Sequence, residues 1–281
     1  MKDILRCKDF TVSGEEFDLI YDETLEMLVT SPQPSVDKLA GYYESDDYIS
    51  HTDSSKSIFD RVYQVVKKYA LRSKIRLVGK NYVGTEVSKS LLDIGCGTGD
   101  FLAIAKLNNW NVSGVEPNEK ARSFAESKLD ISVFFDISEI GDQKYDCITL
   151  WHVLEHVPDL QAFISNLKHL LEPNGLIIVA VPNFKSFDAN YYKNNWAAYD
   201  VPRHLWHFSQ TSIAKLFHME HMKVKSVVPM KFDAFYVSIL SEKYKSNPFG
   251  MIKGFFVGLF SNIMAMFSKE YSSLIYVLKE E

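Results

Sequence analysis

The run Leu91-Leu92-Asp93-Ile94-Gly95-Cys96-Gly97-Thr98-Gly99-Asp100-Phe101 constrains this chain more than any other stretch. It is an apolar strand that ends near an acid and then turns through three alternating glycines. Glycine tolerates positive φ and has no Cβ, so a strand can turn sharply into a helix while its bare backbone comes close to a ligand. The first amides of that helix point at whatever lies beyond the strand end. The dinucleotide fingerprint spaces its glycines G-x-G-x-x-G around a pyrophosphate. Here the spacing is G-x-G-x-G, so the stretch reads as a nucleotide-type binding loop. A glycine-rich turn without a ligand is the competing reading.

Strands and helices alternate around this loop. A helix built on Ile58, Val62, Val65, Val66 and Tyr69, capped at Thr52 or Asp53, leads into the first strand. Trp110 to Val115 reads as a second strand ending in Glu116-Pro117, Ile131 to Phe135 as a third, Tyr145 to Leu150 as a fourth and Leu176 to Val181 as a fifth. The last is an unbroken apolar run, as in a strand buried on both faces. Strict alternation predicts an α/β fold, a doubly wound parallel sheet with right-handed crossovers. Lys223 to Pro229 and Ser272 to Leu278 read as two further strands. Glu116, about 20 residues beyond the loop and at the second strand's tip, can accept two ribose hydroxyl hydrogen bonds. It can also serve as an N-terminal acid for the following helix.

Three stretches of the chain resemble class I S-adenosylmethionine-dependent methyltransferases. The glycine loop with its acid is similar to their first motif. Trp151-His152-Val153-Leu154-Glu155-His156-Val157-Pro158-Asp159 resembles the fourth-strand motif of the bacterial branch that includes the ubiquinone-biosynthesis O-methyltransferase. Asp200 to Phe208 resembles a further element of that branch. The resemblance implies a Rossmann-like, mostly parallel seven-stranded sheet with an antiparallel edge strand. It also implies S-adenosylmethionine as cofactor, with S-adenosylhomocysteine as product. On this reading Asp93, Gly95, Cys96, Gly97, Gly99, Glu116, Pro117, Trp151 and His152 hold the cofactor, while Asp136 meets the adenine amino group and Ile137 packs on the ring. A turn-forming role competes at Asp136.

Methyl transfer needs an acceptor lone pair held in line with the sulfonium methyl, so proximity and orientation carry most of the acceleration. A hydroxyl acceptor must also lose a proton, and imidazole is suited to that near neutral pH. His152, His156, His204 and His207 are the candidates, with His156 and His204 first, and Glu155 orients a histidine or the acceptor. Trp151 or Trp196 can face a sulfonium cation. The polar, aromatic segment from Tyr191 to Phe208 follows the fifth strand, where open sheets bind ligands. Acceptor binding and an aromatic minicore with satisfied histidines are its two readings.

Residues 1–50 form an accessory lobe and residues 51–281 the methyltransferase domain. The lobe resembles a zinc ribbon preceding a Pro-x-Pro and a Tyr-Tyr element, but Cys7 stands alone where two Cys-x-x-Cys pairs belong, so no metal site is expected. Tyr42, Tyr43 and Tyr48 read as lobe packing or as a flap over the cofactor. Cys7, Cys96 and Cys147 give no disulfide framework, and the N-terminus lacks a secretory pattern; both fit the cytoplasm. A net charge of −5 with scattered lysines and arginines leaves no footprint for nucleic acid. The partner expected is a small-molecule acceptor, with a lipid-linked one open. Residues 233–268 read as a helical insertion. A hairpin on the core, a dimer contact and a peripheral membrane surface compete for it, because the uncharged run Gly254 to Phe267 is shorter than the roughly 20 residues that span a bilayer. The chain reads as a monomer or homodimer without a transmembrane segment. A non-catalytic cofactor-binding module and a nucleotide-dependent oxidoreductase are the alternatives to a methyltransferase.

Overall fold

The computed structural model describes residues 5–43, 58–84 and 89–281. Tyr48 and the expected cap at Thr52 or Asp53 lie outside them. The main sheet has seven strands: β4 (Lys89–Ile94), β5 (Trp110–Val115), β6 (Val133–Phe134), β7 (Tyr145–Trp151), β8 (Leu171–Pro182), β10 (Met222–Pro229) and β11 (Ser273–Glu280). Their spatial order is β10-β11-β8-β7-β4-β5-β6. Strands β6, β5, β4, β7 and β8 are parallel neighbours, and β11 runs antiparallel to both β8 and β10. The antiparallel strand is therefore one place in from the edge, which β10 occupies.

The apolar run of β8 explains its central place. Ile177, Val179 and Val181 enter the core on one face of the sheet, and Leu176, Ile178 and Ala180 enter the core on the other. Side chains that alternate at period two while both faces are apolar can be buried only between two helical layers. Those layers include α2 (Ile58–Asn81), α3 (Asp100–Leu107), α4 (Glu119–Leu129), α5 (Leu160–His169) and α7 (Gln210–His218). The third strand is shorter than its sequence suggests. Asp130 closes α4 in the left-handed conformation, and the Asp136 side chain caps a 3-10 turn at the other end.

Helix α2 departs from its expected apolar stripe at two of the described positions. Val65 and Tyr69 are exposed, and the buried contacts come from Ile75 and Val78 further along. Tyr69 meets the Phe232 ring at a centroid distance of 5.7 Å, so its partner is the residue just before the insertion rather than the sheet.

The N-terminal segment folds as an antiparallel meander of β1 (Leu5–Lys8), β2 (Glu16–Asp22) and β3 (Met27–Ser31), followed by the short helix α1 (Val36–Leu39). A fourth strand, β9 (Trp206–His207), arrives from far along the chain and pairs with β3. Residues 183–205 connect the end of β8 to β9 through α6 (Phe187–Tyr192) and short 3-10 turns. The insertion forms the helical hairpin α8 (Asp233–Tyr244) and α9 (Gly250–Ser268). Among the described residues α9 is the one helix long and apolar enough, at mean hydropathy 1.5 over 18 residues, to cross a membrane by length and composition.

Candidate active site

The glycine loop closes on the tips of β4 and β5. Gly95 and Cys96 donate to the Val115 carbonyl at 2.8 and 3.0 Å. Gly95, Gly97 and Gly99 all take positive φ, between 54° and 73°, so the turn needs residues without a Cβ. Their surroundings differ. A Cβ on Gly95 would lie 2.5 Å from Val153 Cγ2, and one on Gly99 would press on Ala125 and Leu129. One on Gly97 would meet nothing within 4 Å among the described residues, so this glycine borders open space in that part of the structure.

Glu116 is buried at the tip of β5, where its carboxylate accepts from the Gly97 amide (2.8 Å) and the Asn118 amide (2.9 Å). Each oxygen keeps a second lone pair. The expected helix-terminus role and a ligand role are thus compatible. Pro117 is exposed beside it. Asp136 spends one carboxylate oxygen on the amide and hydroxyl of Ser138, and Ile137 is half-buried next to it. The turn role is therefore present at Asp136, with its other oxygen outside that turn. Cys96 is a buried free thiol whose pKa burial drives upward.

Beneath the loop lies a charged cluster that the sequence did not announce. Asp93 is buried and accepts from the Thr149 hydroxyl at 2.6 Å. Burial raises its pKa to about 7 against that bond and the nearby Lys74 charge. Lys74, from α2, has its pKa lowered by burial while Asp93 and Asp233 oppose the shift. Its ammonium stands 4.2 Å from the centre of the Trp151 ring. Trp151 accordingly does face a cation here, that of Lys74, and its other neighbour is Phe101. Trp196 is elsewhere, buried in the minicore under the small sheet and donating to Asp188 at 2.7 Å, so it is no candidate for a sulfonium.

The four histidines separate by environment. His152 Nδ1 lies 3.2 Å from Glu155 and its Nε2 3.2 Å from Asp233. Burial disfavours its charge, but the two carboxylates outweigh burial and raise the pKa to about 9. Protonated at neutral pH, His152 cannot be the general base expected of it. His207, on β9, donates from Nε2 to Thr30 Oγ1 at 3.0 Å, because that hydroxyl gives its own proton to the His204 carbonyl. Burial pushes its pKa well down. It joins the small sheet to the 200–208 segment, and this removes it from the candidate bases too.

His156 and His204 are stacked edge to face with ring centroids 4.6 Å apart. His156 Nδ1 meets the Arg203 carbonyl at 3.0 Å and the Tyr43 hydroxyl at 2.9 Å. His204 Nδ1 meets the Ala198 carbonyl at 2.9 Å. A carbonyl can only accept, so each ring donates from Nδ1 and turns Nε2 the other way, that of His204 lying 3.9 Å from Asp200 Oδ2. Burial, then the neighbouring His204, lowers the His156 pKa to about 4. Between the histidines sits Glu155, fully buried, with Oε2 lacking a hydrogen-bond partner among the described residues. Burial alone would protonate it, yet the surrounding imidazoles hold its pKa at about 2. One donor atom each from Glu155, His156 and His204 lies within 4.8 Å of the others, a spacing that could also hold a metal ion. The absence of a metal site was expected from the missing cysteine pairs of the N-terminal lobe, a reason that does not bear on this cluster.

The Asp233–His152 contact makes a pH-dependent contribution. The folded pKa of His152 is above its ordinary value, so the stabilisation is complete below pH 6.5 and is lost as pH rises through about 9. In urea unfolding, wild type is expected to exceed Asp233→Asn by on the order of 1 kcal/mol near pH 6.5, since both side chains are partly exposed. That gap should close by about pH 10, whereas a constant gap would leave the imidazolium without a role.

Fold and site together define an α/β methyltransferase-type sheet with its nucleotide loop at the carboxyl ends of the strands. Residues 63–220 match the family model described as a methyltransferase domain. The match takes in more than half of the chain, and the chain belongs to that family, whose cofactor is S-adenosylmethionine. Similar curated proteins are the ubiquinone biosynthesis O-methyltransferases of Rickettsia prowazekii, 28% identical over 50% of this chain and 58% of that one, and of Vibrio atlanticus, 36% identical over 35% and 46%. The chain thus spans about half the length of the curated relatives it matches. Among solved structures, magnesium protoporphyrin IX methyltransferase from Synechocystis PCC 6803 aligns over 87% of this chain and 94% of its own, at TM-score 0.54 and 16% identity. A cyclopropane synthase from Mycobacterium tuberculosis aligns over 89% and 100%, at TM-score 0.55 and 14% identity. These two carry the fold alone.

Proposed function

We propose that this chain transfers a methyl group from S-adenosylmethionine to an oxygen of a small-molecule acceptor. The carrying observation is the pair of imidazoles, His156 and His204, each donating from Nδ1 to a carbonyl and packed beside the Glu155 carboxylate, one oxygen of which has no hydrogen-bond partner among the described residues. The cofactor fits the residues beside them: among the described residues Gly97 borders open space, and both Glu116 oxygens keep a lone pair for ribose hydroxyls. Asp93 opposite Lys74 and the imidazolium of His152 offers both signs of charge, as the zwitterionic amino-acid end of the cofactor requires. Bound there, S-adenosylmethionine supplies an electrophilic methyl group on a sulfonium. His156 or His204 accepts the hydroxyl proton at Nε2 as the oxygen becomes nucleophilic, and Glu155 stabilises the imidazolium that results. The names of the curated relatives support oxygen as the atom methylated. The segment from residue 183 to 208 lines the acceptor side, and residues 1–50 act as an accessory lobe that holds it in place through β9. A reducing cytoplasm suits the three free thiols.

Calorimetric titration with S-adenosylmethionine and S-adenosylhomocysteine tests the cofactor half. Glu116→Ala should weaken both by roughly ten- to a hundred-fold, the loss of hydrogen bonds to a charged acceptor. Transfer of labelled methyl to small hydroxyl compounds, with and without long apolar tails, tests the other half. Tight binding with no transfer to any acceptor would sink the catalytic reading and leave a binding module.

A further inference from the structure

Helix α9 is turned inside out. Its buried stripe is made of small residues, Gly250, Gly254, Gly258, Ser261 and Ala265, together with Val257. Its outer face carries Ile252, Phe256, Leu259, Phe260, Ile263 and Phe267, all exposed and at the 3.6-residue spacing of one helical side. Phe256 is 61% and Phe267 81% exposed. Nineteen residues at 1.5 Å each make this an apolar ridge about 28 Å long. A ridge of that size on a protein surface marks an interaction site.

The inner face fixes how the ridge can be used. A Cβ on Gly254 would lie 2.6 Å from Ile239 Cα, and one on Gly258 would lie 2.7 Å from the Ala234 carbonyl oxygen, so α9 and α8 touch backbone to backbone. Ser261 donates to the buried carboxylate of Asp188 at 2.7 Å. That face of the helix is thus committed to the fold, which holds α9 along the body of the protein. Held so, its outer face can lie along a surface.

Charge identifies the surface. The whole chain has a net charge of −5, but residues 243–269 contain four lysines and no acid. Lys243 and Lys245 precede the ridge, Lys253 is in its first turn, and Lys269 follows it. Lys253 pairs with buried Glu242, while Lys243, Lys245 and Lys269 are exposed. A two-fold dimer through this face would set the same lysines against each other. We propose that the outer face of α9 seats the protein on an anionic lipid surface, with its phenylalanines in the acyl boundary and its lysines at the headgroups. The same hairpin begins at Asp233, which bonds His152 of the candidate site.

Flotation of the full chain with vesicles tests this without turnover, so its outcome is independent of the methyl-transfer reading. The protein should float with phosphatidylglycerol–phosphatidylcholine vesicles at low salt and much less with phosphatidylcholine alone. The triple substitution Lys243→Gln, Lys245→Gln, Lys269→Gln should lower partitioning onto the anionic vesicles about a hundred-fold, and high salt should do the same to wild type. Ile252→Ser, Phe256→Ser and Phe267→Ser together should lower it at least about ten-fold, with folding checked by circular dichroism. No flotation of folded wild type, or equal flotation on neutral and anionic vesicles, would overturn the proposal. So would a wild-type dimer in sedimentation velocity that the serine variant dissolves, because the face would then belong to a second copy. Should the serine variant fail to fold, the lysine variant decides.

Discussion

Replacing Arg203 by alanine is expected to cost about 3–5 kcal/mol of folding free energy, the usual result of removing one partner from a buried ion pair. Arg203 is 2% exposed and holds three elements at once. Its Nη2 lies 3.0 Å from Asp9 and 2.6 Å from Asp200, its Nε donates to Asp200, and its Nη1 donates to the Tyr42 carbonyl at 3.1 Å. Burial works against the Asp9 charge, yet the Ser13 amide, Arg203 and the Thr11 amide hold its carboxyl below the usual range. Without the guanidinium, Asp9 stays charged in a buried place or takes up a proton, and either weakens the small sheet. The effect should reach the site, because the Arg203 carbonyl orients His156. Arg203→Lys restores a charge but not the planar fork, so it should recover less than half of the loss. Urea unfolding monitored by tryptophan fluorescence measures both variants. A loss below about 1 kcal/mol for alanine would mean that the lobe and the 200–208 segment are held together by packing alone.

The features legible in the sequence are those whose signal is local. The glycine loop, the acid at the tip of β5 and the two-faced apolar run of β8 each sit within a dozen residues, where spacing and residue type constrain the backbone directly. The candidate site was half legible for the same reason: Glu155 and His156 lie within one short stretch. What was not legible depends on pairs distant in the chain. Asp233 opens the insertion and gives no sign that it reaches His152, yet that contact turns an expected base into an imidazolium. Lys74 is one lysine among many on a charged helix until its ammonium is found over Trp151. His207 and His204 look alike in sequence, three residues apart, and are separated by one hydroxyl. The pairing of β9 with β3 gives His207 to Thr30 and leaves Nε2 of His204 free of a backbone partner. Helix α2 misled because a stripe of apolar residues shows that a face exists, not which neighbour will cover it.

The largest effect on ligand binding is expected at Gly97. Gly97→Arg should abolish detectable S-adenosylmethionine binding, at least a hundred-fold in calorimetry, while the protein stays folded. Position 97 has φ of +54° and, among the described residues, nothing within 4 Å of where a side chain would begin, so an arginine adds the left-handed backbone cost of about 1–2 kcal/mol and then fills the cradle itself. Gly95→Ala provides the contrast. Its new methyl would lie 2.5 Å from Val153 Cγ2, and Val153 immediately precedes Leu154, Glu155 and His156. The small substitution should therefore disturb both fold and site, whereas the large one at Gly97 should block binding alone. Thermal melts beside the titrations separate the two. If Gly97→Arg binds the cofactor as wild type does, the ligand does not lie against this loop, and the open space beside it serves something else.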